Sequence, residues 1–118
     1  METPSAYMRF LALSQSKQAH LGLPGVDATA MKLLEICAVA CERRRPLTVT
    51  QAMALRAVAS PATLHRKIDA LLDAGYIDLQ TAGGDSRVRE IHLREAAQKY
   101  FQDMSEIMLA ASSPSQSE

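Results

Sequence analysis

The sequence predicts a mainly α fold with one small β-hairpin, an α+β class, and three observations lead there. Apolar residues recur at helical spacing in several separate segments. Polar capping residues stand just before those segments. Between residues 76 and 93 the period changes to alternation. The 118 residues suit one compact domain, and 47% apolar residues supply a core without disulfides or a metal.

A first helix is predicted over residues 5–19, with Tyr7, Phe10, Leu11 and Ser14 on one side. Gly22, Pro24 and Gly25 interrupt the chain after it. Asp27 is a good N-cap for a second helix over residues 28–45, in which Ala30, Leu34, Cys37 and Cys41 form an apolar stripe with Met31 and Ala38 beside it. Arg43, Arg44 and Arg45 suit the negative pole of that helix, and Pro46 stops it.

Thr48-x-x-Gln51 has the form of a capping box, in which hydroxyl and amide satisfy each other's free backbone donors, so a short helix follows over residues 49–57. Ser60 as N-cap and Pro61 at the first helical position open another, which ends at Gly75. Ile77 and Leu79 alternate with polar residues in a strand over 76–81, and Ile91 and Leu93 do so over 88–93, with Gly83-Gly84 as the turn. The last helix, over residues 94–111, carries Ala97, Tyr100, Phe101, Met104, Ile107, Met108 and Ala111 on one broad stripe.

Two helices joined by a short turn and followed by a glycine-tipped hairpin make the winged helix-turn-helix plan. Residues 1–111 are therefore expected to form a single domain of this kind, with a DNA-binding core over 48–93. Helices 5–19 and 94–111 are expected to serve dimerisation, and 112–118, which are small and polar, to be a disordered tail.

Charge points the same way by its position rather than its sum. Thirteen Lys and Arg balance thirteen Asp and Glu. Even so, no acidic residue occurs from Arg43 to Ile68, a stretch that holds Arg43, Arg44, Arg45, Arg56, Arg66 and Lys67. A neutral chain can thus present one basic face to a polyanion. With no Trp and only three Tyr and two Phe, a single-strand binder with aromatic stacking platforms is not expected.

On the helix after Pro61, Leu64, Ile68, Leu71 and Leu72 fall on the core side at 100° steps. Ala62, Thr63, Arg66, Asp69 and Asp73 fall opposite, with His65 and Lys67 on the flanks. The outer face is small and basic at its N-terminal half and acidic at its C-terminal half, which fits entry into a major groove by the N-terminal end. Arg66 then offers two donors to guanine O6 and N7, and Thr48, Ser60, Ala62, Thr63, His65 and Lys67 complete the contact set. In the hairpin, Gly83 and Gly84 shape the turn and Arg87, with Arg89, is expected at the minor groove or its phosphates. Asp85 is expected to hold the turn or orient an arginine. A solvated amphipathic helix and a plain surface hairpin are the alternatives.

The sequence resembles the MarR family of bacterial regulators in Leu47-Thr48, in the run from Ser60 to Asp78, and in Asp85-Ser86-Arg87, which matches the family's Asp-x-Arg wing. The likeness covers residues 27–93 well and the terminal helices in outline. It departs after the second strand, where Leu93-Arg94-Glu95-Ala96-Ala97 stands in place of Leu-Thr-x-x-Gly. The resemblance implies transcriptional control by a homodimer on a pseudo-palindromic site of double-stranded DNA. Tyr7, Phe10 and Leu11 of the first helix and Tyr100, Phe101, Met104, Ile107 and Met108 of the last supply apolar stripes for such pairing.

Cys37 and Cys41, one turn apart on the apolar stripe, read as core packing. A thiol sensor is the alternative, because some proteins of that family respond to oxidants. Arg43 to Arg45 suit phosphate contact or a solvated helix end equally. His20, His65 and His92 are scattered, and no phosphate loop or carboxylate pair is present, so no enzyme, metal site or cofactor is expected. An unknown small-molecule effector remains compatible with the pattern. No apolar run approaches the ~20 residues of a membrane span, and the N-terminus lacks the charged region and cleavage site of a secretory signal. A cytoplasmic protein without a membrane partner is expected. A winged-helix module that binds protein instead of DNA is the competing reading, favoured by the neutral charge.

Overall fold

The computed structural model describes residues 5–16 and 22–112, with Asp85 and Ser86 described by their backbone alone. Its elements in chain order are α1 (Ala6–Ser16), α2 (Ala28–Glu42), α3 (Val49–Met53), α4 (Pro61–Asp73), β1 (Ile77–Ala82), β2 (Asp85–Leu93) and α5 (Glu95–Ala111). The end of the first predicted helix, residues 17–19, and most of the predicted tail, residues 113–118, lie outside the described residues.

Helices begin where a side chain satisfies their free amides. The Asp27 carboxylate accepts from Ala30 N at 2.8 Å to open α2. Both halves of the Thr48–Gln51 capping box form at the start of α3, at 3.1 and 3.0 Å. Ser60 Oγ accepts from Thr63 N at 3.2 Å to open α4, with Pro61 at the first helical position.

The ends required correction. α2 stops at Glu42, not Arg45: Arg44 takes the left-handed conformation at φ 61°, and its N–H and that of Arg45 bond back to Cys41 O and Ala40 O, both at 2.9 Å. This is the same paired closure that ends α4 at Gly75, φ 82°, through Gly75 to Leu72 and Tyr76 to Leu71. α3 is shorter than expected, ending at Met53, and the chain continues to Val58 in tight turns.

β1 and β2 pair antiparallel, with Ile77 opposite Leu93 and Leu79 opposite Ile91, so the apolar positions share one face. β2 begins at Asp85, earlier than the predicted residue 88. The register slips between Thr81, opposite Arg89, and Ala82, opposite Asp85, which leaves residues 86–88 without a β1 partner. On the other edge of β2, Ile91 N donates to Leu47 O at 2.8 Å and Thr48 bridges Glu90, adding a brief third segment that the sequence did not announce.

The chain forms two compact units. In the unit of residues 24–97, Ala30, Leu33, Leu34 and Cys37 of α2 are buried, as are Leu64, Ile68 and Leu71 of α4 and Ile77 and Ile91 of the hairpin. Leu33 replaces Cys41 in the expected stripe, since Cys41 is half-buried. Tyr76 is also buried, and its hydroxyl donates to Pro24 O at 2.9 Å. The second unit holds α1 and the part of α5 from Gln98 onward. Within it Arg9 Nε donates to Ala111 O at 2.6 Å, Tyr7 stacks with Phe10 at 6.4 Å, and Tyr100 meets Phe101 edge-on at 5.1 Å.

Candidate nucleic-acid interface

The outer face of α4 is built from residues spaced three apart, which stand one above another on a helix. Ser60 Oγ donates to Thr63 Oγ1 at 3.1 Å, and Arg66 Nη2 donates to the same oxygen at 3.0 Å. Ala62 is exposed beside them. His65 and Asp69 form a second exposed pair, Nδ1 to Oδ2 at 3.3 Å.

Lys67 goes elsewhere. Its ammonium meets Asp27 Oδ2 at 2.6 Å, so the cation ties α4 to the N-cap of α2. The Lys67 hydrogen bond, followed by that from Ala30 N, holds the Asp27 carboxyl below its ordinary value. This pairing draws Lys67 off the basic face on which the sequence grouped it. Asp27 was legible as a cap, but a partner 40 residues away leaves no local signal.

The hairpin stands across an open groove from α4. Thr48 and Thr50 at the start of α3, His65 and Asp69 of α4, and Arg87 and Arg89 of β2 line it, over a volume of about 470 Å³. Arg87 and Arg89 are exposed. Thr48 lines this groove, and its hydroxyl caps α3. Gly83, at φ 59°, and Gly84 occupy the two turn positions between Ala82 and Asp85. The Asp85 side chain, expected to brace the turn, lies outside the described residues. His92 and Glu90, 3.1 Å apart, are a second pairing that the sequence did not indicate.

Arg43 and Arg45 are not part of this groove. They line a separate depression of about 740 Å³ on α2 with Lys32 and Val39. Cys37 is buried, and burial, with Cys41 beside it, pushes its thiol up to about 12. A thiol so raised is almost wholly protonated at neutral pH and a poor nucleophile. Cys41 Sγ contacts Ile91 O at 3.4 Å, and both cysteines are free thiols.

Of the apolar residues assigned to pairing, Phe10, Leu11, Tyr100, Phe101 and Met104 are half-buried, and Ile107 is only 5% exposed. Tyr7 and Met108 are 65% and 60% exposed, and Met8 and Leu109 join them at the surface.

The arrangement is a winged helix-turn-helix, the fold of MarR-family regulators. Among solved structures the chain is similar to the transcriptional regulator PA4135, with a TM-score of 0.55 and 17% identity over 93% of this chain and 80% of that one. It is similar to the heme sensor protein PefR of Streptococcus agalactiae in complex with heme (TM-score 0.54, 16% identity, 95% and 80% covered). It also matches the M. tuberculosis transcriptional regulator MosR in complex with DNA (TM-score 0.50, 20% identity, 98% and 85% covered). At these identities the likeness is one of fold. No family model and no curated protein matches the chain. Among the described residues no helix is long and apolar enough to cross a membrane.

Proposed function

We propose that the protein is a sequence-reading, double-stranded-DNA-binding transcriptional regulator that acts as a homodimer. The observation that carries this is the groove between α4 and the wing. The helix contributes His65 and Asp69 to that groove and the hairpin Arg87 and Arg89, while the exposed Ser60–Thr63–Arg66 face presents its donors on α4 outside the groove's lining. A helix of this width fits the major groove of B-DNA, and cations on a neighbouring hairpin suit the flanking phosphates or minor groove. In this reading residues 48–93 form the DNA-binding core. The exposed apolar side chains Tyr7 and Met108 belong to a dimer contact made by residues 5–19 and 94–111. One winged helix buries too little surface for strong specific binding, so two copies are needed.

Selection from a pool of random duplex DNA, at two salt concentrations, tests the proposal. An enriched pseudo-palindrome with salt-dependent affinity supports it and measures the half-site spacing. No enrichment and no binding at low salt, with no small-molecule effector restoring either, favours a protein-interaction module. The balanced net charge and the diversion of Lys67 to Asp27 are the observations on that side.

A further inference from the structure

Three side chains on α4 form one hydrogen-bonded relay, and counting its protons fixes what it can recognise. A hydroxyl has one proton and two lone pairs. Thr63 Oγ1 accepts from Ser60 Oγ at 3.1 Å and from Arg66 Nη2 at 3.0 Å, so both of its lone pairs are occupied. Its own proton is then left available to an acceptor outside the relay. Ser60 Oγ in turn accepts from Thr63 N at 3.2 Å as the cap of α4. The guanidinium carries donors only, and the bond to Thr63 leaves further N–H groups available. The outer surface of the relay therefore offers donors at two points 3.0 Å apart. That separation is close to the ~3.4 Å between successive bases on one DNA strand.

Resting on the DNA-binding reading above, we infer that Thr63 is a positioning and specificity residue. It holds the Arg66 guanidinium toward a guanine and donates its own proton to an acceptor on the adjacent base of the same strand. Guanine (N7 and O6), thymine (O4) and adenine (N7) present such acceptors in the major groove. Cytosine presents only its N4 amino donor there and is rejected, because donor would meet donor. Ser60 contributes by saturating Thr63, which couples the helix cap to the reading face. Arg66, exposed and otherwise free to sample many rotamers, is ordered before it meets DNA, and this lowers the entropy lost on binding.

The test uses the full chain in three forms: wild type, Thr63→Val, which keeps the β-branched shape and removes the hydroxyl, and Thr63→Ser, which restores it. Thermal unfolding confirms that all three fold alike. Random-duplex selection of the wild type is expected to enrich a guanine flanked on one strand by a base other than cytosine. Thr63→Val is expected to flatten both positions and to weaken binding to the best site about tenfold, with binding to random duplex nearly unchanged. Thr63→Ser is expected to recover the preference. In the free protein, nitrogen relaxation of the Arg66 Nε–H group is expected to report greater mobility in Thr63→Val than in wild type. A motif present but indifferent to Thr63→Val, cytosine enriched at the flanking position, or unchanged Arg66 mobility would overturn this inference alone. A wild-type protein that selects no motif overturns the DNA-binding reading and this inference with it.

Discussion

In residues 24–97 the large aliphatic side chains lie inside: Leu33, Leu34 and Leu64 have no exposed surface, and Leu71, Ile77 and Ile91 are nearly as deep. In the unit of α1 and α5 burial is sparser, with Ile107 and Ala111 inside. No residue of α1 is buried, and Tyr7, Met8, Met108 and Leu109 stand at the surface, Leu109 70% exposed. The same apolar periodicity marks helices in both regions, yet in one it fills a core and in the other part of it stands on an outer face. Amphipathic spacing says which residues share a side of a helix; it does not say whether the partner for that side lies in the same chain.

Substitutions sharpen this contrast. Leu64→Ala removes a fully buried side chain from the unit of residues 24–97 and is expected to lower stability by about 2–5 kcal/mol, read by urea unfolding. A comparable loss from Tyr7→Ala would show that the outer face of α1 is core after all. Arg66→Ala is expected to weaken DNA binding by about 1–3 kcal/mol in a sequence-dependent manner. Arg87→Ala is expected to weaken it across most sequences, and neither change should alter the oligomeric state. Equal loss on specific and random duplex for Arg66→Ala would remove its reading role. The pair Met108→Glu with Leu109→Glu is expected to do the opposite: weaken the proposed dimer, by at least about 1 kcal/mol, with residues 24–97 still folded. Sedimentation at several concentrations distinguishes the outcomes.

Two smaller effects concern the joints of the larger unit. Arg44→Gly relieves a left-handed conformation at the end of α2 and is expected to stabilise the protein by up to about 1 kcal/mol, seen as a raised Tm. Asp27 contributes in a pH-dependent way. Its carboxyl is held below the ordinary value in the folded chain, so its contribution is complete above that ordinary value and is lost as pH falls through the lowered one. Lys67→Met is expected to flatten this acid dependence in unfolding midpoints measured down the pH scale. A profile identical to wild type would mean that the ion pair is inconsequential.

What could be read in advance divides along the same physical line. Helix starts were legible at Asp27, Thr48 and Ser60 because a cap and its amides lie within three residues of each other. The face carrying Thr63 and Arg66 was legible because helical geometry fixes it. The end of α2 was not, since the left-handed position that glycine usually fills holds Arg44. Nor were the Lys67 to Asp27 pair, the Leu47 segment beside Ile91, or the groove that sets Arg87 opposite His65 and Asp69. Each depends on residues that only the folded chain brings together.

The residue at which that Leu47 segment ends has two duties. Thr48 bridges Glu90 at the edge of β2, and it is also the cap whose hydroxyl and amide fasten the first turn of α3. Sheet and helix are thus pinned on one hinge pin, and the hairpin is a lever whose fulcrum sits there and at Ile91. Its inner arm, from Ile77 to Thr81, is clamped by regular pairing; beyond the slip, residues 86–88 form an outer arm with Arg87 at mid-length. The seat of the helix-turn-helix therefore rests on the fulcrum and the regularly paired inner arm, and not on the unpaired residues that carry Arg87.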